Sequence, residues 1–317
     1  MSSNPARLAV LAVGGNSLIK DSKRQTIADQ YGAAEESMRH VAGMIEAGWD
    51  VVVTHGNGPQ VGFILRRSEL SMHELHAVPL DYCGADSQGA IGYMFQRALH
   101  NEFQRRGIRK HPATVVTQVL VSREDPAFEN PSKPIGSFLD EATARERQKS
   151  EGWTVVEDAG RGWRRVVPSP RPVRIIELPA IESLVRGGYT VISTGGGGIP
   201  VVEDEAGNLV GVEAVIDKDF AGALLANSLH AGLFLISTAV EKVALRYRQP
   251  GETWLDRMTV AEARQYLGEG HFAKGSMEPK IRAIISYLEQ GGTEALITNP
   301  ENIERALAGQ TGTRIVA

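Results

Sequence analysis

Short apolar or β-branched runs alternate along the chain with longer helix-like segments. This alternation predicts parallel strands joined by crossover helices, and therefore a doubly wound α/β protein. Strands are predicted at 8–13, 51–54, 114–121, 189–193, 233–237 and 295–298. Helices are predicted at 27–47, 60–69, 85–106, 175–186, 218–229, 260–266 and 279–290.

The stretch over 122–174 departs from this alternation because it is rich in Pro, Arg and acidic residues and poor in apolar ones. Its sequence includes a charged helical run over 140–152 and a lysine, Lys133, between prolines in the string PSKPIG. We therefore expect one α/β domain over 1–317, with 122–174 inserted as a small lid-like subdomain. A purely structural excursion is the alternative reading of this segment.

Composition and charge argue against nucleic acid and membranes as binding partners. Lys plus Arg total 34 and Asp plus Glu total 38, a formal net charge of −4, which argues against a nucleic-acid binder. The single cysteine, Cys83, excludes an intrachain disulfide. The apolar run at 8–13 is shorter than a signal-peptide core, and no segment reaches the roughly 18 apolar residues of a membrane span. We expect a cytoplasmic location without a membrane partner.

Glycine is frequent, at 34 of 317 residues, and clusters in three loops that follow predicted strands. The loops read GGNS at 14–17, HGNGPQVG at 55–62 and TGGGGIP at 194–200. Backbone N–H groups in such loops can bind a phosphate or carboxylate, and Asn16 and Asn57 add amide donors. Any one loop could simply be a tight turn, but three together favour anion binding. Neither a Walker A loop nor a GxGxxG dinucleotide fingerprint occurs in the chain.

Charged residues occur at two predicted helix starts. The string VIDKD places Asp217, Lys218 and Asp219 at one of them, and KGSMEPK places Lys280 at another. The alternative reading is a capping aspartate and a solvated lysine. The chain contains no HExxH zinc motif and no GxSxG nucleophile elbow. Lysines and backbone N–H groups without a nucleophile suit phosphoryl transfer.

Taken together, these strings resemble those of the carbamate kinases, which have the amino-acid-kinase fold. The resemblance also covers DYCGADSQGAIGYM at 81–94, EDAGRGWRRVVPSP at 157–170 and the C-terminal TNPENIERALAGQTGTRIV. It implies an α/β fold with an open, mainly parallel sheet sandwiched between helices, a protruding insert and a homodimer. It also implies reversible phosphoryl transfer from carbamoyl phosphate to ADP, giving ATP and carbamate, with Mg²⁺ held by the nucleotide phosphates and not directly by the protein.

The resemblance further implies roles for individual residues. Lys133 would reach from the insert into the carbamoyl phosphate site, and Lys218 and Lys280 would hold the transferring phosphoryl group. Asp217 and Asp219 would orient the lysines and the metal-bound nucleotide. The implied substrate-binding residues are Gly14, Gly15, Asn16, Gly56, Asn57, Gly196 and Gly197. The implied nucleotide-binding residues are Lys218, Thr238, Val240, Lys274, Ser276, Met277, Pro279 and Lys280.

Two departures from the family pattern concern specificity. The chain reads TAVEKVA at 238–244 where carbamate kinases read close to TDVDKVY, so an aspartate and an aromatic residue are missing near the expected adenine or ribose. Glu278 stands where glycine is common. Two alternatives therefore stay open: a kinase of the same fold acting on another small carboxylate or carbamate-like acid, or a silent relative that binds nucleotide or carbamoyl phosphate.

Overall fold

A computed structural model describes residues 7–14, 18–19, 21, 23–158 and 160–317. The strands are β1 (Arg7–Val13), β2 (Trp49–His55), β3 (Pro112–Thr114), β4 (Gln118–Val121), β5 (Lys133–Leu139), β6 (Thr154–Glu157), β7 (Trp163–Val167), β8 (Pro172–Ile175), β9 (Thr190–Ile192), β10 (Ile199–Glu203), β11 (Leu209–Gly211), β12 (Leu233–Ser237), β13 (Val243–Leu245), β14 (Thr253–Leu255), β15 (Arg257–Thr259), β16 (Glu294–Thr298) and β17 (Thr313–Val316). The helices are α1 (Ile27–Glu46), α2 (Gly58–Ser71), α3 (Leu80–Arg106), α4 (Glu141–Glu151), α5 (Leu178–Arg186), α6 (Lys218–Ser228), α7 (Val260–Gly268), α8 (Met277–Glu289) and α9 (Ile303–Leu307).

An eight-stranded sheet in the order β15-β17-β16-β12-β1-β2-β9-β3 forms the centre of the molecule. Its pairings are parallel except between β16 and β17. Alternate residues of β1 point to opposite faces, with Val10 and Ala12 packing in the core that includes α6 and α8. Ala9 and Leu11 pack in the core that includes α1 and α3. The predicted open, mainly parallel sheet between helices is confirmed.

The strand predicted at 114–121 is two strands in the structure, because the chain leaves the large sheet between Thr114 and Gln118. The N–H of Val115 still donates to the carbonyl of Ile192, but the N–H of Thr117 donates to the side chain of Gln88 on α3. The following residues form β4, which belongs to a second sheet in the order β11-β10-β4-β8. A polar contact from a distant helix therefore ends β3.

Two predicted helix starts differ from the structure by three residues or more. Helix α5 begins at Leu178 rather than at 175, because 172–175 form β8 and Pro179 then lies in the first helical turn. Helix α3 begins at Leu80, five positions before the predicted start. Among the helices of the described ranges, none combines the length and apolar composition needed to cross a membrane.

The segment over 122–174 contains a three-stranded antiparallel sheet in the order β5-β7-β6, and helix α4. Asp140 caps the start of α4 by accepting from the N–H of Thr143, and Gly152 ends the helix in the left-handed conformation. Ile135 and Val167 of this sheet share a small apolar cluster with Leu80 of α3. The first residue of β5 is Lys133, so this packing places the lysine beside the main body.

Candidate active site

The glycine-rich loops meet at one edge of the large sheet, because the carboxyl ends of neighbouring parallel strands lie on the same side. Gly14 follows β1 and donates its N–H to the carbonyl of Ser237 at the end of β12 (3.2 Å). Gly56 follows β2 and donates to Val13 (3.0 Å). The third loop follows β9 and turns through Gly195–Gly197. Gly15 and Asn16, which the resemblance places in the first loop, lie outside the described residues.

Asp217 links the insert to the start of α6. One carboxylate oxygen caps the helix by accepting from the N–H of Asp219 (2.9 Å). The other oxygen accepts from Nζ of Lys133 (2.8 Å). The residue therefore has the capping role and also holds the lysine of the insert at the helix start.

Asp219 is a buried carboxylate, 3% exposed, that bridges two lysines. Oδ1 accepts from Nζ of Lys218 at 2.5 Å, and Oδ2 accepts from Nζ of Lys280 at 3.0 Å. Burial alone raises the pKa of this carboxyl, but the two ammonium groups outweigh burial and lower the pKa from 3.8 to about 2. Asp219 therefore stabilises the fold above pH 4, and this contribution is lost as the pH falls toward 2.

The cluster formed by Lys133, Lys218, Lys280, Asp217 and Asp219 has a surplus of positive charge. Three lysines surround the two aspartates, which leaves one unbalanced positive charge in a partly buried space. Burial, and then repulsion from Lys218, lower the pKa of Lys280 despite its pairing with Asp219. A bound anion would relieve this repulsion, so the cluster favours a ligand with negatively charged oxygens.

Two cavities open on either side of the lysines. The first cavity, of about 470 Å³, is lined by residues of two glycine-rich loops together with Lys133, Arg164, Asp217 and Asp219. The second cavity, of about 1130 Å³, is lined among others by Gly14, Thr238, Ala239, Asn299 and Glu301. Lys218, Gly275, Ser276 and Lys280 line both cavities. A group bound at these shared residues would lie between two ligands.

The other site residues that the resemblance implies are divided between the first cavity, the second cavity and positions that line neither. Gly56, Asn57, Gly196 and Pro279 line the first cavity. Gly14 was expected in the substrate site but lines the second cavity, with Thr238. Gly197 is not among the lining residues of the first cavity, although its neighbours Gly196 and Gly198 are. Val240, Lys274 and Met277 are not among the lining residues of either cavity.

Several residues near the site carried no assigned role at the sequence level. Arg164 extends from β7 into the lining of the first cavity and donates through Nη2 to the carbonyl of Gly136 (3.2 Å). His55 is fully buried behind the loops, and burial lowers its pKa from 6.5 to about 4, so it is neutral at neutral pH. Ser87 and Gln88 are buried behind the same loops. All lie in strings typical of the family, but their residue types alone do not distinguish them from structural polar groups.

The residues that the structure describes offer no carboxylate cage for a metal ion near the lysines. Within the described ranges, no group of three or more His, Cys, Asp or Glu side chains is placed to hold a metal. Both oxygens of Asp217 and both oxygens of Asp219 already accept hydrogen bonds. The donor set therefore does not fit direct coordination of Mg²⁺ by these aspartates.

Comparison with known proteins identifies the family. The model of the amino acid kinase family matches residues 7–299. A carbamate kinase from Thermococcus kodakarensis is 49% identical over 310 residues, covering 97% of this chain and 98% of that protein. The carbamate kinase-like protein YahI of Escherichia coli is 50% identical over 312 residues, covering 98% of both. The structure of a Giardia lamblia carbamate kinase bound to AMP-PNP superposes with a TM-score of 0.93 at 39% identity, covering 98% of both chains. The chain therefore belongs to the amino acid kinase family, and within that family to the carbamate kinases.

Proposed function

We propose that the protein transfers a phosphoryl group reversibly between carbamoyl phosphate and ADP, giving ATP and carbamate, which decomposes to ammonia and CO₂. The observation that carries this proposal is the pair of lysines held on buried Asp219 where two cavities meet. Carbamoyl phosphate would occupy the first cavity and ADP the second. The phosphoryl group would then cross at Lys218 and Lys280.

The transfer needs no protein nucleophile. A β-phosphate oxygen of ADP attacks phosphorus, the bond from phosphorus to the carbamate oxygen breaks, and carbamate leaves with the electron pair. In the loose transition state of such reactions, negative charge spreads over the three equatorial oxygens. The ammonium groups of Lys218 and Lys280 would stabilise that charge from the α6 and α8 side. N–H groups of the glycine-rich loops, including that of Gly196, would act from the other side.

Lys133 would supply the third positive charge from the insert over 122–174, which we propose to act as a lid on a single domain. Its ammonium lies 2.8 Å from Asp217. Both side chains line the first cavity, so an oxygen of carbamoyl phosphate could share Lys133 with that carboxylate. Closing the insert over the substrate would also exclude water from a reactive acyl phosphate.

The second cavity suits a nucleotide in size and in its polar lining. Thr238 and Ser276 line it directly, and Val240, Lys274, Met277 and Pro279 are neighbours in sequence of residues that do. Ala239 stands where the family pattern has an aspartate, so selectivity for the nucleotide would rest on other groups. Because the aspartates at the lysine cluster are already engaged, Mg²⁺ would be held by nucleotide phosphates, and no step of the mechanism is assigned to it.

We further propose a homodimer that uses the outer face of α3. Tyr82 and Tyr93 of this helix are 63% and 60% exposed, and Val116, just beyond the edge strand β3, is 51% exposed. Exposed aromatic residues beside an edge strand are typical of an interface between subunits. We also propose a cytoplasmic location, where the buried thiol of Cys83 would remain reduced.

Formation of ATP from carbamoyl phosphate, ADP and Mg²⁺, followed with luciferase, tests the proposed reaction. We expect Lys218→Ala and Lys280→Ala each to lower kcat by at least about 100-fold, because each removes a charge from the transition state. Lys110→Ala is the matched control, since Lys110 also pairs with an aspartate, Asp50, but near the opposite end of β2.

Wild-type rates in both lysine variants would contradict the assignment of the site. If folded wild-type protein forms ATP only from another acyl phosphate, such as acetyl phosphate, the protein is a kinase of the same fold for a different acid. If calorimetry detects binding of ADP or carbamoyl phosphate without turnover of any acid, the protein is a silent relative.

The pH dependence of ATP formation tests the role of Asp219. Lys280 must stay protonated to act, so activity is expected to fall as the pH rises through its lowered pKa. Asp219→Asn removes the charge that supports protonation, so the alkaline limb of the kcat profile should move to lower pH. Asp50→Asn, at the Lys110 pair, should leave the profile unchanged. An unmoved alkaline limb in Asp219→Asn would contradict this role.

Sedimentation velocity tests the proposed dimer. Tyr93→Glu places a charge on the outer face of α3 and should convert the wild-type dimer to a monomer, because burying an unpaired carboxylate is costly. Tyr247→Glu is the control, since Tyr247 is 40% exposed and lies between β13 and β14, away from α3. A monomeric wild type, or a Tyr93→Glu variant that still dimerises, would contradict the proposal.

A further inference from the structure

Helix α3 contains two adjacent polar residues that its packing does not explain. Ser87 is 0% exposed and Gln88 is 2% exposed, although both lie in the interior of a 27-residue helix. Neither lines the first or the second cavity. Burying polar groups inside a protein is costly unless they form hydrogen bonds. Their hydrogen-bond partners therefore show which parts of the fold these two side chains hold in place.

Gln88 binds both the third glycine-rich loop and the segment between β3 and β4. Nε2 donates to the carbonyls of Thr117 (3.1 Å) and Gly195 (3.0 Å). Oε1 accepts from the N–H of Thr117 (2.7 Å). The hydroxyl of Thr117 in turn accepts from the N–H of Thr194 (3.0 Å). One side chain thus fixes the point where the third loop leaves β9.

The backbone at that point is strained. Thr194 has φ 48° and ψ 33°, a left-handed conformation that is unfavourable for a residue with a Cβ. Its carbonyl accepts from the hydroxyl of Thr54 (3.0 Å), and its N–H is held through Thr117. Such a conformation persists only where the surroundings determine it, and Gln88 anchors those surroundings.

Ser87 binds the second glycine-rich loop in the same way. Its hydroxyl accepts from Nδ2 of Asn57 (2.8 Å) and donates to the carbonyl of Gly84 (2.7 Å). The side chain of Asn57 lies directly on Gly196, where an added Cβ would come within 2.1 Å of Nδ2. The second and third loops therefore interlock, and neighbouring residues of one helix hold both.

We propose that Ser87 and Gln88 are positioning residues that set the spacing between the two anion-binding loops of the first cavity. They act through Asn57 and Gly195, without touching the substrate. The inference rests on the proposed function, because it assumes that these loops bind the reacting phosphate. Donors aimed at a transition state lose effect when they shift, and a misplacement of about 1 Å can cost about 100-fold in rate.

Replacing Gln88 by methionine tests the proposal, since the side chain keeps its length but loses all three hydrogen bonds. We expect Gln88→Met to lower kcat for ATP formation by about 10- to 100-fold, with the KM for ADP changed less than about twofold. Hydrogen exchange measured by mass spectrometry should become faster in peptides covering 194–198. The control is Gln96→Met on the same helix, where Nε2 makes one long contact to the carbonyl of Pro112 (3.5 Å).

Ser87→Ala is the second variant and keeps the test decisive if Gln88→Met fails to fold. It should lower kcat by about 10-fold and speed exchange at 55–58, because Asn57 loses its acceptor. Ser68→Ala is its control, since Ser68 is similarly buried and accepts from the N–H of Val78.

The outcomes separate the two proposals. If wild-type protein forms no ATP from carbamoyl phosphate, the proposed reaction is wrong, and the exchange measurement alone decides whether α3 positions the loops. If wild-type protein is active and both variants match their controls in kcat and exchange, Ser87 and Gln88 are structural residues only, and the inference is overturned.

Discussion

The site depends on one buried carboxylate. Asp219 holds two ammonium groups that would otherwise repel each other in a partly buried space. The lysines come from the starts of two different helices, α6 and α8, so the carboxylate also brings those helix starts together. Removing the charge would leave two unpaired cations at the junction of the cavities. The lysine arrangement, and hence the proposed path of the phosphoryl group, follows from this single contact.

Three separate parts of the fold surround that contact. The large sheet brings the glycine-rich loops to one edge, and two of these loops line the first cavity together with the three lysines. The insert adds Lys133, held against α6 by Asp217. Helix α3 lies behind the loops and ties them together through Ser87 and Gln88. Because the charges come from helices and the insert while the loops supply neutral donors, positive charge and backbone dipoles approach a bound phosphate from different directions.

The central part of the fold was predictable from local patterns. The apolar runs of β1, β2, β12 and β16 identify buried parallel strands, because such strands are apolar on both faces. The break after β3 was not predictable, because it depends on a hydrogen bond that the N–H of Thr117 donates to Gln88, 29 residues away. The small second sheet was also missed, since its strands are only three to five residues long.

Several residues of the site could be predicted from the sequence, but their arrangement in space could not. Helix-start signals located Asp217, Lys218 and Lys280, and the family resemblance implied their roles. The bridge from Asp219 to Lys280 spans 61 residues, so no local pattern could reveal it. Which side of a loop faces a cavity also depends on tertiary packing. For that reason Gly14 lines the second cavity, and Val240, Lys274 and Met277 line neither.

A mutant cycle between Asp219 and Lys280 tests the central claim most directly. The kcat for ATP formation would be measured for Lys280→Ala in the wild-type background and in the Asp219→Asn background, with folding checked by circular dichroism. If Asp219 holds Lys280 in its working position, the lysine substitution should cost about 100-fold in the wild type but less than about 10-fold once the carboxylate is gone. Equal losses in the two backgrounds would show that the residues act independently, contrary to this account.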